Sequence, residues 1–362
     1  MATFDYFPDT YSQARSKFLM TARAKRFALT HYVHPKLRGP KGEELAIDVA
    51  HTGKDDARYV LLIISGTHGV EGLCGSGLQV GYLQDELYGA LPPKTATLLI
   101  HALNPFGFAY LRRVNEENVD LNRNFLDFSV APPSSPAYES VHDYLVPQDW
   151  DTEQRRAADA ELQKYMNSDR ARSFQADVSR GQYTRPNGLF YGGLRPTWSN
   201  QVLHQLLSDN IWRTVERIIV LDLHTGLGPC GYGEPIYSGP IGAGLERARK
   251  WFGPEVTCTK DSTSTSADVA GSIAEAFQRG NFNDRVTFLS LEYGTLSMLE
   301  VLTALRADNW LHAVPNRTTP LRNSIKQQIR DAFYIDAPWW KAAVYGRFAD
   351  FVLRASRAFS AS

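Results

Sequence analysis

Four short apolar runs stand out along the chain: Tyr59 to Ser65 (YVLLIIS), Thr97 to Leu103 (TLLIHAL), Ile218 to Leu223 (IIVLDL) and Val286 to Leu291 (VTFLSL). They are β-branched or aliphatic and nearly continuous rather than alternating, which is the pattern of strands buried on both faces. Glu44 to Val49 (ELAIDV) alternates better and reads as an edge strand. Helical spacing takes over between the runs. Asn200 to Arg217 places Val202 and Leu206, and Leu203, Leu207, Ile211 and Val215, four residues apart, with Ser199 as the expected N-cap. Gly75 to Tyr88, Ala267 to Phe277, Met298 to Trp310, Ser324 to Phe333 and Trp339 to Phe359 read as helices too. Strands alternating with helices predict an α/β fold whose sheet is mixed, mainly parallel and covered by helices on both faces.

The stretch from about Leu126 to Trp198 breaks this rhythm. It opens on Pro/Ser-rich VAPPSSPAY, carries a charged helical run from Thr152 to Arg172 and ends in GQYTRPNGLFYGGLRP. We read residues 1–362 as a single domain with an insertion at about 126–198, either padding or a lid or specificity wall.

Composition narrows the class. Hydrophobic residues are 43% and charged residues 22% of the 362, as in ordinary soluble globular chains. Lys plus Arg equals Asp plus Glu, at 39 each, so no basic surplus points to nucleic acid or to an anionic membrane. The three cysteines, Cys74, Cys230 and Cys258, are far apart and form no CxxC, which suits a reducing compartment and argues against a cysteine zinc site. The polar N-terminal stretch has no signal-peptide core, and no apolar run approaches the roughly 18 residues of a membrane span, so a cytoplasmic protein is expected.

Chemistry gathers in the polar segments that follow the apolar runs, where open α/β sheets bind ligands. His68 and Glu71 sit three residues apart in a turn with Gly66, Gly69 and Gly72. An imidazole and a carboxylate at that spacing can reach one metal from a loop, although HxxE alone is weak evidence. His224 strengthens the case: it ends a buried strand as Asp-x-His and leads into Thr225-Gly226-Leu227-Gly228. Two histidines and one glutamate leave the fourth corner of tetrahedral zinc open, the catalytic pattern. The other seven histidines are expected to be structural. Glu292 ends the fourth strand, where a carboxylate is costly unless paired or functional; it is placed to act as a general base. Leu111 to Phe125 reads LRRVNEENVDLNRNF. Arg123 with Asn122 can hold a substrate carboxylate, and Arg113 or Arg112 can stabilise an oxyanion.

HxxE, then DLNRNF, then a strand-end His, then a strand-end Glu, in that order, resembles the zinc carboxypeptidase family over roughly Tyr59 to Thr295. The DLHTG and LEYGT segments look most like its aspartoacylase and succinylglutamate desuccinylase side, and in particular a poorly characterised bacterial carboxypeptidase-like group. The resemblance implies a phosphorylase/hydrolase-like fold and one Zn2+ ion on His68, Glu71 and His224. It implies Glu292 as general base, Asn122 and Arg123 as the carboxylate pair, and Asp120 as the acid that orients a zinc histidine. It implies an arginine on the scissile carbonyl, for which Arg113 is preferred to Arg112. The short gap between that arginine and Asn122-Arg123 fits the deacylase side. The substrate-binding tyrosine of carboxypeptidases has no distinct counterpart; Tyr191, Tyr232, Tyr237 and Tyr293 are candidates, with Tyr191 preferred as a pocket residue. The expected activity is zinc-dependent hydrolysis of an amide in a small molecule or short peptide bearing a free carboxylate. The rivals are an N-acyl amino acid deacylase and a non-catalytic zinc-binding protein on the same fold.

Overall fold

The computed structural model describes residues 3–169, 171–209, 211–278, 282, 284–314 and 317–360. Met1 and Ala2 of the polar N-terminus and Asn210 of the expected helix Asn200 to Arg217 lie outside these residues. The strands are β1 (Ala28–Arg38), β2 (Glu44–Thr52), β3 (Tyr59–Ser65), β4 (Thr95–His101), β5 (Arg217–Gly226), β6 (Gly233–Tyr237), β7 (Thr257–Cys258) and β8 (Val286–Gly294). They form one sheet in the order β1-β2-β4-β3-β5-β8-β6-β7. The centre, β4-β3-β5-β8, is parallel; β1-β2, β2-β4 and β6-β8 are antiparallel. The sheet is therefore mixed and mainly parallel, as the runs of aliphatic residues predict.

Alternate residues of the central strands feed two cores. Leu61, Ile63 and Leu221 pack with Leu78 and Phe348 from the helices Gly72–Gln84 and Pro338–Ser360. Val60, Leu62, Ile64 and Val220 pack on the other face with Val202 and Ile273 from Trp198–Leu207 and Ile273–Gln278. Burial on both faces is why these strands show no polar alternation.

Several expected boundaries move. Glu44 to Val49 is not an edge: β1 pairs outside it from Ala28 to Arg38. β1 escapes the hydrophobic pattern because nearly all of its residues are at least partly exposed. The helix at Trp198–Leu207 is capped by Thr197, whose side chain accepts from the Asn200 N–H, not by Ser199. The expected helix Ala267 to Phe277 begins only at Ile273. Residues 126–198 contribute the helices Pro136–Leu145, Glu153–Met166 and Ala171–Ser179, which share a hydrophobic cluster with Met298–Ala313. Among the described residues no helix is long and apolar enough to cross a membrane.

Candidate metal centre

The parallel strands β3, β5 and β8 deliver the chemistry to one end of the sheet. Ser65 pairs in register with Leu223, so the turn after β3 lies beside the end of β5. Gly66 turns the chain with φ 69, and a Cβ on Gly69 would sit 2.0 Å from the carbonyl carbon of Gly107. Only glycine admits that approach. The turn Gly69–Glu71 is a 3₁₀ helix, whose three-residue period brings positions i and i+3 to the same side. His68 Nδ1 accordingly lies 2.8 Å from Glu71 Oε1. On β5, Asp222 and His224 are two apart and face the same way. His224 Nδ1 lies 3.0 Å from Glu71 Oε2 and 3.3 Å from His68 Nδ1. Glu292 is the register partner of His224 on β8, and its Oε1 accepts from the Leu227 N–H at 3.0 Å.

The donor set fits a divalent cation. One ligand atom from each of His68, Glu71 and His224 lies within 4.8 Å of the others, and all three residues are buried. Each imidazole has its Nε2 on a carboxylate: Asp120 Oδ1 at 3.2 Å for His68, Asp222 Oδ2 at 2.6 Å for His224. Asp222 is itself fixed by the Thr67 hydroxyl at 2.8 Å. With Nε2 donating, each Nδ1 turns a lone pair towards the other and towards Glu71. Such a convergence of lone pairs is stable only around positive charge. The electrostatics agree. Burial alone would lower the His224 pKa, but Asp222 and Glu71 hold it well above its usual value. Burial would raise the Glu71 carboxyl, but His68 and His224 hold it down. Burial and the neighbouring Glu71 charge raise the Glu292 carboxyl, against the opposing pull of His224.

The arginines divide. Arg113 reaches the centre: its Nε donates to Asp120 Oδ2 at 2.9 Å and its Nη1 to Glu71 Oε1 at 3.4 Å. Arg112 turns away, donating through Nε to Asp308 at 3.0 Å and through Nη2 to Asn118 at 3.1 Å, and does not line the cleft. The substrate contact expected of Arg112 is thus replaced by a buried ion pair, in a turn where the left-handed Leu111 and the Arg112 N–H on the Gly107 carbonyl precede Arg113. Asn122 and Arg123 both line the cleft. The Asn122 Oδ1 accepts from the Ile273 N–H at 2.9 Å, which fixes the amide so that its NH2 group is the remaining donor. Arg123 donates through Nε to the Ser179 carbonyl at 3.0 Å and through Nη1 to the Asn122 carbonyl at 2.8 Å.

Tyr191 does not join them. It offers its backbone carbonyl to the Asp120 N–H at 2.8 Å, while its side chain stays off the cleft. Tyr232, Tyr237 and Tyr293 do not line the cleft either. The neighbour Phe190 does, with a left-handed φ of 55. Its ring lies 5.6 Å from the Arg113 guanidinium and 5.9 Å from that of Arg123. Sequence reasoning missed Phe190, which no local signal marks, and gave Asp222 no role although the Asp-x-His spacing pointed to it. The cleft holds about 1090 Å³, counted out to its open mouth.

A family model described as "Protein of unknown function (DUF2817)" matches residues 7–347. No curated protein matches the chain in sequence. Among solved structures, bovine thrombin-activatable fibrinolysis inhibitor in complex with tick carboxypeptidase inhibitor is similar at 11% identity and a TM-score of 0.51, over 99% of each chain. This likeness shows a shared fold. A metallo-carboxypeptidase from Burkholderia cenocepacia is 12% identical at a TM-score of 0.46, covering 97% of this chain and 71% of that one. An aspartoacylase family protein from Mesorhizobium loti is 17% identical at a TM-score of 0.38, covering 81% of this chain and 69% of that one.

Proposed function

The chain belongs to the family described as "Protein of unknown function (DUF2817)", and we propose that it is a zinc-dependent hydrolase of amide bonds in carboxylate-bearing substrates, working as one domain with residues 126–198 as an insertion. The observation that carries this reading is the pair of imidazoles pinned by Asp120 and Asp222, their Nδ1 atoms turned to Glu71 with Glu292 alongside.

One zinc ion on His68, Glu71 and His224 would supply Lewis acidity to the scissile carbonyl and make water a far stronger acid. Glu292 takes a proton from the water that adds to the carbonyl carbon. It returns that proton to the amide nitrogen as the carbon–nitrogen bond breaks, leaving a carboxylate and an amine. Its raised pKa suits a group that must both accept and donate near neutral pH. Arg113, tied at Nε to Asp120, presents its Nη groups to the developing oxyanion. Asn122 and Arg123 hold the substrate carboxylate, with the Arg123 fork fixed beforehand by two backbone carbonyls.

Both a carboxypeptidase and an N-acyl amino acid deacylase satisfy this chemistry. The deacylase is favoured by one observation: among the described residues no tyrosine lines the cleft. Glu292→Gln is expected to keep one zinc per chain by elemental analysis while hydrolysis falls by roughly 10²- to 10⁴-fold. The assay is a panel of free-carboxylate peptides and N-acyl amino acids. Wild-type turnover by the variant would remove Glu292 from the role of base.

A further inference from the structure

Among the described residues, the charged side chains that line the cleft are Arg113, Arg123 and Glu292, in addition to the two histidines. Away from them the lining falls into two walls that belong to different hydrophobic clusters. Ile273, Ala274 and Phe288 belong to the sheet-side cluster and are interleaved with Ser272 and Ser290. Phe174, Val178, Phe190, Val301, Leu302 and Leu305 belong to the cluster shared by the insertion and the helix Met298–Ala313. Gln175 and Ser179, on the same helix as Phe174 and Val178, are the polar residues that line the cleft beside this group. Its members keep 3–8% exposure, whereas Leu61 and Ile63 in the sheet have none. They form an apolar face that opens onto the cleft rather than the middle of a core.

The polarity of a bound substrate follows from the clamp. Asn122 is bonded to Ile273, and Gly271 packs against the Arg123 carbonyl, so the carboxylate site adjoins the sheet-side wall, while the Arg123 guanidinium on the Ser179 carbonyl also brings it against the near end of Ala171–Ser179. Phe288, Ser290 and Glu292 alternate on one face of β8, so that wall leads up to Glu292 from the β8 side. A substrate anchored by its carboxylate lays its amino-acid part along the small, partly polar sheet-side wall. The acyl part then passes Glu292 and Arg113 towards the apolar wall. That wall is held in place by the insertion: Arg123 donates to the Ser179 carbonyl at one end of Ala171–Ser179, and Gln175 Nε2 donates to the Thr265 carbonyl at 3.1 Å farther along the same helix.

We propose that the wall formed by Ala171–Ser179, Phe190 and Met298–Ala313 is a binding site for an extended apolar acyl chain, so that the substrate class is N-acyl amino acids with acyl groups well beyond acetyl or succinyl. This rests on the hydrolase reading above for the direction of the substrate. A buried methylene is worth roughly a fourfold gain in binding when fully desolvated. Partial burial of six added methylenes is then expected to give at least about a tenfold gain.

The test uses the zinc-loaded full chain and N-acetyl-, N-butanoyl-, N-hexanoyl- and N-octanoyl-L-leucine, with L-leucyl-L-leucine as the analogue that places an ammonium against the same wall. Hydrolysis is measured on the wild type. Binding is measured by calorimetry on Glu292→Gln, which needs no turnover. Rising kcat/KM and affinity from acetyl to octanoyl, with leucyl-leucine poorest, support the proposal. Leu302→Phe, which fills the wall, is expected to abolish the chain-length gain, read as the ratio of octanoyl- to acetyl-leucine kcat/KM within the variant. Hydrolysis that is flat or falls with chain length, or that is fastest for leucyl-leucine, overturns the acyl site and leaves the hydrolase standing. Affinity that rises with chain length without any hydrolysis supports the acyl site and overturns the hydrolase reading. Neither hydrolysis nor chain-length-dependent affinity overturns both.

Discussion

A histidine that meets a metal through one nitrogen is governed by what its other nitrogen donates to. His68 and His224 both spend Nε2 on a buried carboxylate, and those carboxylates are themselves held, Asp120 by Arg113 and Asp222 by Thr67. The tautomer, the ring orientation and the basicity of Nδ1 are thereby set before a cation arrives. Asp222→Asn keeps the shape, and its amide oxygen can still accept from Thr67. It loses the negative charge that supports His224. Zinc affinity is expected to fall by about 10- to 100-fold, read by competition with a chromogenic chelator. An unchanged affinity would mean that Asp222 does not support the ligand. Phe190 is the residue-scale feature of the opposite kind. A bulky side chain at positive φ is strained by roughly 1–3 kcal/mol, and the strain sits where one ring contacts two guanidiniums.

At the scale of elements, the ligand turn and the arginine segment are built as one unit. The Gly69 and Val70 N–H groups donate to the Arg113 and Arg112 carbonyls at 3.2 and 2.9 Å, while Gly69 lies directly against Gly107. Gly69→Ala would force a Cβ into the Gly107 backbone. It is expected to cost about 1–3 kcal/mol in a denaturant titration and to weaken zinc binding as His68 shifts away from His224. Equal stability and equal zinc affinity would show that the contact relaxes freely. This coupling marks the border of what the sequence displays. The glycines around His68 are visible, and so are the i, i+3 spacing and the strand-end histidine, because each is local. That Gly69 needs Gly107 is not, since the partner lies far along the chain. Arg112 and Arg113 are adjacent in a segment without periodicity, where Leu111 is left-handed at φ 49, so nothing local tells which one faces the metal side. The same holds for Phe190 against Tyr191. The buried central strands are legible because their runs are unbroken. β1 is not, because its polar residues gain their place only by pairing with β2.

Across the whole molecule, the residue that the cleft does not use becomes a tie between distant parts. Arg112, from the segment before the carboxylate clamp, meets Asp308 of Met298–Ala313, and Lys326 of Arg322–Phe333 donates to the same carboxylate at 2.5 Å. His312, one turn along from Asp308, lies 3.6 Å from it. The tie therefore joins the segment of Arg112 and Arg113 to the helices Met298–Ala313 and Arg322–Phe333. Burial alone would raise the Asp308 pKa, but Lys326, Arg112 and then His312 lower it from 3.8 to about 2. A carboxyl depressed in the folded state contributes stability that is fully present above the unfolded value and lost as pH falls through the folded one. For Asp308 the loss runs from about pH 4 to about pH 2 and amounts to about 2–3 kcal/mol. His312 acts over a higher window. Burial, then Arg112, hold its pKa down from 6.5 to about 3, against the pull of Asp308. The unfolded chain takes up that proton first, so stability also declines as pH falls from about 6.5. Unfolding by denaturant should therefore show a sloping loss below pH 6.5 that steepens below pH 4. Asp308→Asn should flatten the lower part while lowering stability at pH 7 by about 3–5 kcal/mol, because Arg112 and Lys326 are left as buried charges without a counterion. His312→Gln should make the upper slope shallower, the remainder coming from His101, which burial also holds down, to about 4, and should leave the lower one. A wild-type profile that is level between pH 6.5 and pH 3 would show that this cluster does not tie the segment of Arg112 and Arg113 to the two helices.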